Sequence, residues 1–272
     1  MKFTKMEGLG NDYLYFYEVP PADVSKLAVL LSDRHCGVGS DGLIYISESR
    51  HADYRMRIFN ADGSEAKMCG NGIRCVGKYL YDRRITEKTE LRIETESGIR
   101  TLLLHTEGGE VTSVSVDMGS AEVSGPELLQ LGNREIEIYP VSVGNPHAVC
   151  FTDKEGLALP EQIGSLVERN ERFPGGVNAE FAAVQDRTAI RMRVWERGSG
   201  VTMACGTGAC ATAAAAVYAG YCPPDEPLTV CLDGGNLEIT VESSGTLWMR
   251  GPAAFVYEAE IELKGRNGYG SH

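Results

Sequence analysis

Two cysteines of this chain, Cys69 and Cys205, lie in the same local sequence. In both places an Arg-Met-Arg triplet is followed by an aliphatic, an aromatic and a polar residue, and Cys-Gly-x-Gly comes nine residues after that polar residue. The triplets begin at Arg55 and Arg191, so triplets and cysteines alike are 136 positions apart. A cysteine repeated in a repeated setting indicates that the chain uses the two thiols as a pair.

Each cysteine follows a predicted strand and a glycine-containing loop, and each opens a predicted helix. Unpaired N–H groups and the positive end of the helix dipole favour a thiolate there, so we expect both thiol pKa values to be lowered. The glycines that follow leave those N–H groups open to an anion, for which a carboxylate is the natural candidate. These glycines are Gly70, Gly72, Gly206 and Gly208.

Two chemically matched thiols suit the inversion of a stereocentre. One group removes a proton from one face of a carbon, and the other delivers a proton to the opposite face. A metal site would want more ligands, and a cysteine hydrolase needs one nucleophile with a histidine base. A disulfide switch needs no carboxylate-binding helix starts. The paired motifs therefore favour proton transfer at a carbon held between two related lobes.

The repeat extends beyond the cysteine segments. Gly10-Asn11 recurs as Gly144-Asn145, 134 positions later, and glycine-rich turns after Arg34 and Arg172 correspond loosely. Three segments that recur in one order indicate a duplicated fold with two similar lobes.

Strand patterns dominate the chain between these motifs, and helical patterns are few. The fold class predicted is α+β, with two pseudosymmetric lobes, each a mostly antiparallel sheet wrapped around a central helix, and the active site in the cleft between them. Helices are predicted over residues 22–35, 70–84, 160–173 and 206–221. The lobes predicted are an N-terminal lobe with Cys69, residues 1–116 with 253–272, and a C-terminal lobe with Cys205, residues 117–252.

Composition narrows the function classes. The net charge is −12 and the basic residues are scattered, so we expect no nucleic-acid partner. With no long apolar run and no signal peptide, we expect a cytoplasmic protein without membrane contact. The eight cysteines are expected to be mostly reduced, and no spacing predicts a metal site. The polar tail after Leu263 is expected to fray.

One motif matches a dinucleotide-binding pattern but lies in the wrong structural context. Residues 37–42 match G-x-G-x-x-G, but a predicted helix precedes the motif and a predicted strand follows it. A dinucleotide site needs the reverse order, so that the pyrophosphate meets a helix N-terminus. We interpret this segment as a turn.

Five motifs, in order and across nearly the whole chain, resemble the diaminopimelate epimerase family. They are "KMEGLGND", "RIFNADGSEAKMCGNGIRC", "GNPH", "RVWERGSGVTMACGTGACA" and "GPAAFVY". The resemblance implies an isomerase of lysine and cell-wall precursor biosynthesis that interconverts LL- and meso-diaminopimelate. It also implies two pseudosymmetric α+β lobes, a two-base mechanism without a cofactor or pyridoxal phosphate, and a homodimer.

Carried over motif by motif, the resemblance assigns roles to individual residues. Cys69 and Cys205 match the catalytic cysteines, His147 and Glu196 match positions that tune the thiol pKa values, and Tyr257 matches a dimer contact. The positions that match substrate-binding residues are Asn11, Asn60, Gly70, Asn71, Asn145, Asn178, Glu196, Arg197, Gly206 and Thr207. Some members carry Gln where this chain has Gly42, so Gly42 is left out.

Three alternatives stay open at this point. A proline or hydroxyproline racemase would share the fold and the two cysteines, although Asn71 and the "WERGSG" segment argue against it. An isomerase of the phenazine-biosynthesis type would lack the cysteine pair. A thiol redox sensor would not need the Asn and Arg groups. We interpret Cys75 and Cys210 as packing residues, because Cys75, six residues after Cys69, faces another side of its helix.

Overall fold

The computed structural model describes residues 1–262, so the expectation for the tail after Leu263 lies outside the described residues. The chain divides into two compact units. Ser115–Gly251 forms the second unit, and the first unit comprises Met1–Val114 with the described residues from Pro252 onward. Each unit combines many strands with two α-helices, which confirms the α+β class.

The strands are short, as the alternating and β-branched segments of the sequence predict. In the first unit they are β1 (Lys2–Gly8), β2 (Asn11–Tyr17), β3 (Gly42–Glu48), β4 (Tyr54–Asn60), β5 (Glu65–Ala66), β6 (Glu90–Thr95) and β7 (Gly98–Glu107). The next strand, β8 (Glu110–Ser120), spans the boundary between the units. The second unit has β9 (Glu122–Val123), β10 (Glu127–Leu131), β11 (Arg134–Ser142), β12 (Pro146–Phe151), β13 (Asn178–Asp186), β14 (Ala189–Glu196), β15 (Gly200–Val201), β16 (Pro227–Leu232), β17 (Gly235–Val241) and β18 (Thr246–Gly251), and the chain returns to the first unit with β19 (Ala254–Glu260).

Four α-helices lie within residues 1–262, and each coincides with a predicted one. They are α1 (Val24–Ser32), α2 (Gly70–Asp82), α3 (Leu159–Glu168), which follows a short 3₁₀ turn (Glu155–Ala158), and α4 (Gly206–Tyr218).

The two units repeat one order of strand ladders. In the first, β1–β2 is antiparallel, β2–β3 parallel, β3–β4 antiparallel, β4–β6 parallel and β6–β7 antiparallel. In the second, β11–β12 is antiparallel, β12–β13 parallel, β13–β14 antiparallel, β14–β16 parallel and β16–β17 antiparallel. The register repeats as well, because Tyr13 faces Gly42 in one unit and His147 faces Asn178 in the other. The sequence repeat is therefore a repeat of structure.

The helices that follow the two cysteines are packed differently. In α2 the buried apolar side chains Ile73, Val76 and Leu80 form one stripe, whereas α4 is alanine-rich and buried nearly all round over its first three turns. Small side chains let the strands approach α4 closely. Both helices present their first turn, and hence their unpaired N–H groups, directly after a cysteine.

In the part of the chain that the structure describes, no helix has both the length and the apolarity needed to cross a membrane. The same residues contain no group of three or more His, Cys, Asp or Glu side chains that could hold a metal ion.

Candidate active site

Cys69 and Cys205 are the N-cap residues of α2 and α4, which confirms that each cysteine opens a helix. Both have extended backbone dihedral angles, with φ of −139° at Cys69 and −122° at Cys205. The Cys69 Sγ accepts a hydrogen bond from Gly72 N at 3.3 Å, and the Cys205 Sγ accepts one from Gly208 N at 3.4 Å. Sulfur thus occupies the place that a Ser or Asp oxygen takes in an ordinary helix cap.

The Cys69 cluster comprises Cys69, Asn11, Tyr13 and Gly72. The thiol donates to Asn11 Oδ1 at 3.3 Å, and Asn11 Nδ2 donates to Asp41 at 2.6 Å, which fixes the orientation of that amide. Burial raises the pKa of Cys69, and the Gly72 N–H and the Tyr13 hydroxyl, both hydrogen-bonded to its sulfur, act in the opposite direction. The hydrogen-bond donors to this sulfur therefore favour a thiolate, whereas Asn11, which accepts the S–H, favours the thiol.

The Cys205 cluster comprises Cys205, Glu196, Glu180, His147 and Thr207. Cys205 is 5% exposed, and its pKa is raised well above the ordinary value by burial and then by the negative charges of Glu196 and Glu180. Its sulfur is hydrogen-bonded to Glu196, and burial raises the pKa of that carboxyl group too. Thr207 Oγ1 lies 3.6 Å from the sulfur. The strongest neighbours of this sulfur therefore favour a neutral thiol.

The expectation that both helix N-termini lower the thiol pKa values is wrong. Both values are raised, because the partial burial of Cys69 and the nearly complete burial of Cys205 make the thiolate costly, and this cost outweighs the N–H groups of Gly72 and Gly208. The shift is larger at Cys205, where two carboxylates add to it. The two cysteines share a backbone conformation, but the pKa of Cys205 is raised further than that of Cys69.

His147 and Glu180 form a buried pair next to Cys205. His147 Nδ1 lies 2.7 Å from Glu180 Oε1, and His147 Nε2 lies 3.1 Å from Asn145 Oδ1. Asn145 Nδ2 in turn donates to Thr207 Oγ1 at 3.3 Å. A hydrogen-bonded chain therefore runs from Glu180 through the imidazole to the first turn of α4.

The helix-start residues Gly70, Asn71, Gly206 and Thr207 lie where the motifs predict, in the first turns of α2 and α4. Asn71 is 4% exposed, and its Oδ1 accepts a hydrogen bond from Arg74 Nη2 at 3.0 Å. Its backbone N–H points toward the Cys69 sulfur and lowers the pKa of that thiol.

Asn178, Glu196 and Arg197 lie together at the ends of β13 and β14. Asn178 Oδ1 accepts from the backbone N–H of Arg197 at 2.8 Å, and Arg197 Nη1 donates to Gly175 O at 3.1 Å. Glu196 also accepts from the Thr202 hydroxyl. The guanidinium is held at the surface of the second unit, beside the strand end that carries Glu196.

Two further predicted residues lie in the first unit. Asn60 ends β4, and its Nδ2 donates to Ser64 Oγ at 3.1 Å. Tyr257, on β19, is 41% exposed, and its ring packs edge-on against Phe3. At Gly42, a Cβ would lie 2.2 Å from the Phe59 carbonyl oxygen, so this backbone leaves no room for a side chain there.

Sequence reasoning missed Tyr13 and Glu180. Tyr13 follows Asn11 by two positions, as His147 follows Asn145, so alignment of the repeats would have indicated it. Glu180 occupies a buried strand between Ala179 and Phe181, and a lone acidic residue in such a strand is the signal for it. Cys75 and Cys210 are fully buried within α2 and α4, as packing residues are.

The fold is shared with a probable proline racemase and with a phenazine biosynthesis protein of known structure. Over 98% of this chain and 94% of the other, it is similar to a probable proline racemase from Agrobacterium radiobacter K84, with a TM-score of 0.73 and 16% identity. Over 97% of this chain and 99% of the other, it is similar to a phenazine biosynthesis protein of the PhzF family from Bacillus anthracis, with a TM-score of 0.76 and 16% identity. At such identities these similarities define the fold alone.

The family is defined by sequence. The family model described as diaminopimelate epimerase matches residues 3–124 and 139–256. A diaminopimelate epimerase of Bacteroides thetaiotaomicron is 50% identical over 96% of this chain and 98% of its own length. One of Acetivibrio thermocellus is 46% identical over 97% of this chain and 99% of its own length. The chain belongs to the diaminopimelate epimerase family.

Proposed function

We propose that this protein is an isomerase that interconverts LL- and meso-diaminopimelate by 1,1-proton transfer between two cysteines, without a cofactor. The observation that carries the proposal is the pair of N-cap cysteines. The sulfur of each accepts a hydrogen bond from the N–H of the third residue of its helix. Relatives named diaminopimelate epimerase, nearly full-length and 44–50% identical, support the choice of substrate.

The first turns of α2 and α4 are suited to a carboxylate. Gly70, Asn71, Gly206 and Thr207 present backbone N–H groups at two positive helix ends. When a proton leaves the α-carbon, negative charge moves onto the adjacent carboxylate, and these N–H groups stabilise it. Asn11, Asn60, Asn145, Asn178, Glu196 and Arg197 would bind the remaining polar groups of the substrate.

The proton transfer needs one base and one acid, and the two clusters supply them unequally. Hydrogen bonds from Tyr13 and Gly72 favour the thiolate of Cys69, and a substrate ammonium group nearby would favour it further. Cys205, beside two carboxylates, is the better thiol.

In the direction in which Cys69 is the base, its thiolate takes the α-proton and becomes a thiol. The C–H electron pair passes to the carbon and its carboxylate. The Cys205 S–H bond then breaks, and its proton joins the opposite face of the carbon. The reverse reaction exchanges the two roles.

The biological role proposed follows from the substrate. An epimerase of diaminopimelate would serve lysine and peptidoglycan precursor biosynthesis in the cytoplasm. We propose a homodimer in which Tyr257, 41% exposed in the single chain, lies at the contact.

The activity test uses purified full-length protein dialysed against a chelator and hydroxylamine. Stereochemically pure LL-diaminopimelate and L-proline are supplied separately, and the stereoisomers formed are separated by chiral chromatography. We expect meso-diaminopimelate from the first substrate and no D-proline from the second. Turnover of proline alone, or activity that returns only when a metal or pyridoxal phosphate is added, would contradict the proposal.

A further inference from the structure

The buried carboxylate of Glu180 has no role in the family resemblance, yet it lies beside the Cys205 sulfur. A Cβ placed on Gly208 would be 2.8 Å from Glu180 Oε1 and 3.2 Å from the Cys205 sulfur. The two atoms therefore flank the same small volume, and their separation is at most the sum of those distances. Gly208 lacks a side chain, so nothing of its own separates them.

Glu180 is also an unusual place for a charge. The side chain is 0% exposed, and Oε2 has no hydrogen-bond partner among the described residues. A buried carboxylate with one unpaired oxygen is costly unless a proton or a cation compensates it. The group that compensates it is His147, whose side chain is likewise 0% exposed.

The hydrogen bonds of His147 require a proton between the two residues. Its Nε2 faces Asn145 Oδ1, an acceptor whose orientation is set because Asn145 Nδ2 donates to Thr207. Nε2 therefore carries a hydrogen. Nδ1 and Glu180 Oε1, 2.7 Å apart, are both acceptors unless one of them also carries a proton. The His147–Glu180 pair thus holds one shared proton in addition to the Nε2 hydrogen.

The equivalent position in the first unit has no such pair. Counting back 136 positions from Glu180 and 134 from His147 leads to Ile44 and Tyr13. Strand register supports the match, because Ile44 faces Ile58 and Glu180 faces Val194. A Cβ on Gly72 would meet Ile44 Cδ1 at 2.7 Å. The apolar Ile44 side chain therefore packs against the first turn of α2 at the place where the Glu180 carboxylate packs against the first turn of α4.

We infer that Glu180 is a positioning residue of the Cys205 cluster, which shares a buried proton with His147 and keeps Cys205 in its thiol form. The inference deepens the proposed function and rests on it for its meaning in catalysis. The groups that face Cys205 are Glu180 from β13, Glu196 from β14 and Thr207 from its own helix, with His147 from β12 behind Glu180. Glu196 bonds the thiol directly, and Glu180 acts on it through space. A carboxylate at that place raises the pKa of the thiol.

The test measures thiol ionisation rather than turnover, so a failed epimerase assay would leave it intact. Full-length wild type, Glu180→Gln and Glu180→Ile are alkylated with iodoacetamide over a pH series. The rates at Cys69 and Cys205 are then followed separately by peptide mass spectrometry. Glu180→Gln removes the charge with little change of shape, and Glu180→Ile installs the residue of the first unit. Glu226→Gln removes an exposed charge from the same unit and serves as the control.

Without the carboxylate, the Cys205 thiolate becomes easier to form. We expect the pH midpoint of Cys205 alkylation to fall in both Glu180 variants, and its rate near pH 8 to rise about tenfold. The midpoint of Cys69 should not move in any variant, and Glu226→Gln should leave both cysteines unchanged. An unchanged Cys205 midpoint in Glu180→Gln that retains the wild-type circular dichroism spectrum would overturn the inference. An equal shift at both cysteines would overturn it too, because it would show a general loss of packing.

Discussion

The Cys69 and Cys205 clusters share a backbone and differ in the side chains around the sulfur. In both, a cysteine caps a helix, its sulfur accepts an N–H bond from a glycine three residues on, and a Gly-Asn turn precedes a strand of the same ladder. Around Cys69 the neighbours are the Tyr13 hydroxyl, the Asn11 amide and the apolar Ile44. Around Cys205 they are the carboxylates of Glu196 and Glu180.

The difference shows how a duplicated fold can give two copies of one residue unlike chemistry. Duplication supplies the geometry, because the helix start, the sulfur position and the N–H groups proposed to bind a carboxylate come with the backbone. The protonation preference comes from positions that the two copies do not share: Tyr13 where the other copy has His147, and Ile44 where it has Glu180. A reversible inversion needs one thiolate and one thiol at the start, and unlike neighbours bias that choice.

Removing either sulfur should have the largest effect. Cys69→Ala and Cys205→Ala each delete a proposed proton-transfer group, so we expect epimerase activity to fall by about 10⁴-fold in each. Cys75→Ala and Cys210→Ala, which remove the next buried thiol in each helix, should keep activity within a factor of about three. Steady-state rates with LL-diaminopimelate measure all four. Near-normal turnover in either of the first two variants would show that one cysteine suffices.

Glu196→Gln should have the next largest effect and should act on one cluster only. It removes the carboxylate that accepts the Cys205 S–H, so the alkylation midpoint of Cys205 should move to lower pH while that of Cys69 stays in place. We expect activity to fall about 100-fold, because Glu196 is also a proposed substrate contact. If the Cys205 midpoint instead rose, the electrostatic explanation of this cluster would be wrong.

Tyr13→Phe should have a smaller effect than Glu196→Gln, and it should raise the alkylation midpoint of Cys69 rather than lower that of Cys205. The hydroxyl is hydrogen-bonded to the Cys69 sulfur and lowers the pKa of that thiol, so its loss should move the Cys69 midpoint to higher pH. The rate should fall about tenfold, which corresponds to one hydrogen bond to a charged group. Tyr45→Phe is the matched control, since the buried Tyr45 hydroxyl has no partner among the described residues. Equal midpoints for Cys69 in both variants would show that Tyr13 does not stabilise the thiolate.

Much of the fold follows from local sequence patterns, and the places where it does not are instructive. The starts of α2 and α4 are predictable, because a repeated Cys-Gly-x-Gly after a strand marks a helix N-terminus. The end of α1 is not. The pattern extends to His35, yet the helix ends at Ser32, and the N–H groups of Val38 and Gly39 turn back to the Leu31 carbonyl oxygen. Hydrogen bonds of this kind depend on the conformation of the loop that follows the helix, and the spacing of apolar residues does not predict that conformation.

The thiol environment could be predicted only in part. The helix position of Cys69 and Cys205 is local and visible in the sequence, but the extent of their burial is a property of the whole unit. For that reason the predicted direction of the pKa shift was wrong. The Glu180–His147 contact joins residues 33 positions apart on two parallel strands. Only the strand register brings them together.

The most direct test of the two-cysteine mechanism is a hydrogen-isotope measurement on the first turnovers. In that mechanism Cys69 and Cys205 can each hold at most one exchangeable proton, and they serve opposite faces of one carbon. When LL-diaminopimelate reacts in D₂O to low conversion, the meso product should therefore carry one deuterium at the inverted carbon. The remaining LL substrate should carry none. A thiol holds a single proton, so the cysteine that took hydrogen from the LL face can return only that same hydrogen to it. Product that retains the original hydrogen, or substrate that gains deuterium as fast as product forms, would contradict the mechanism.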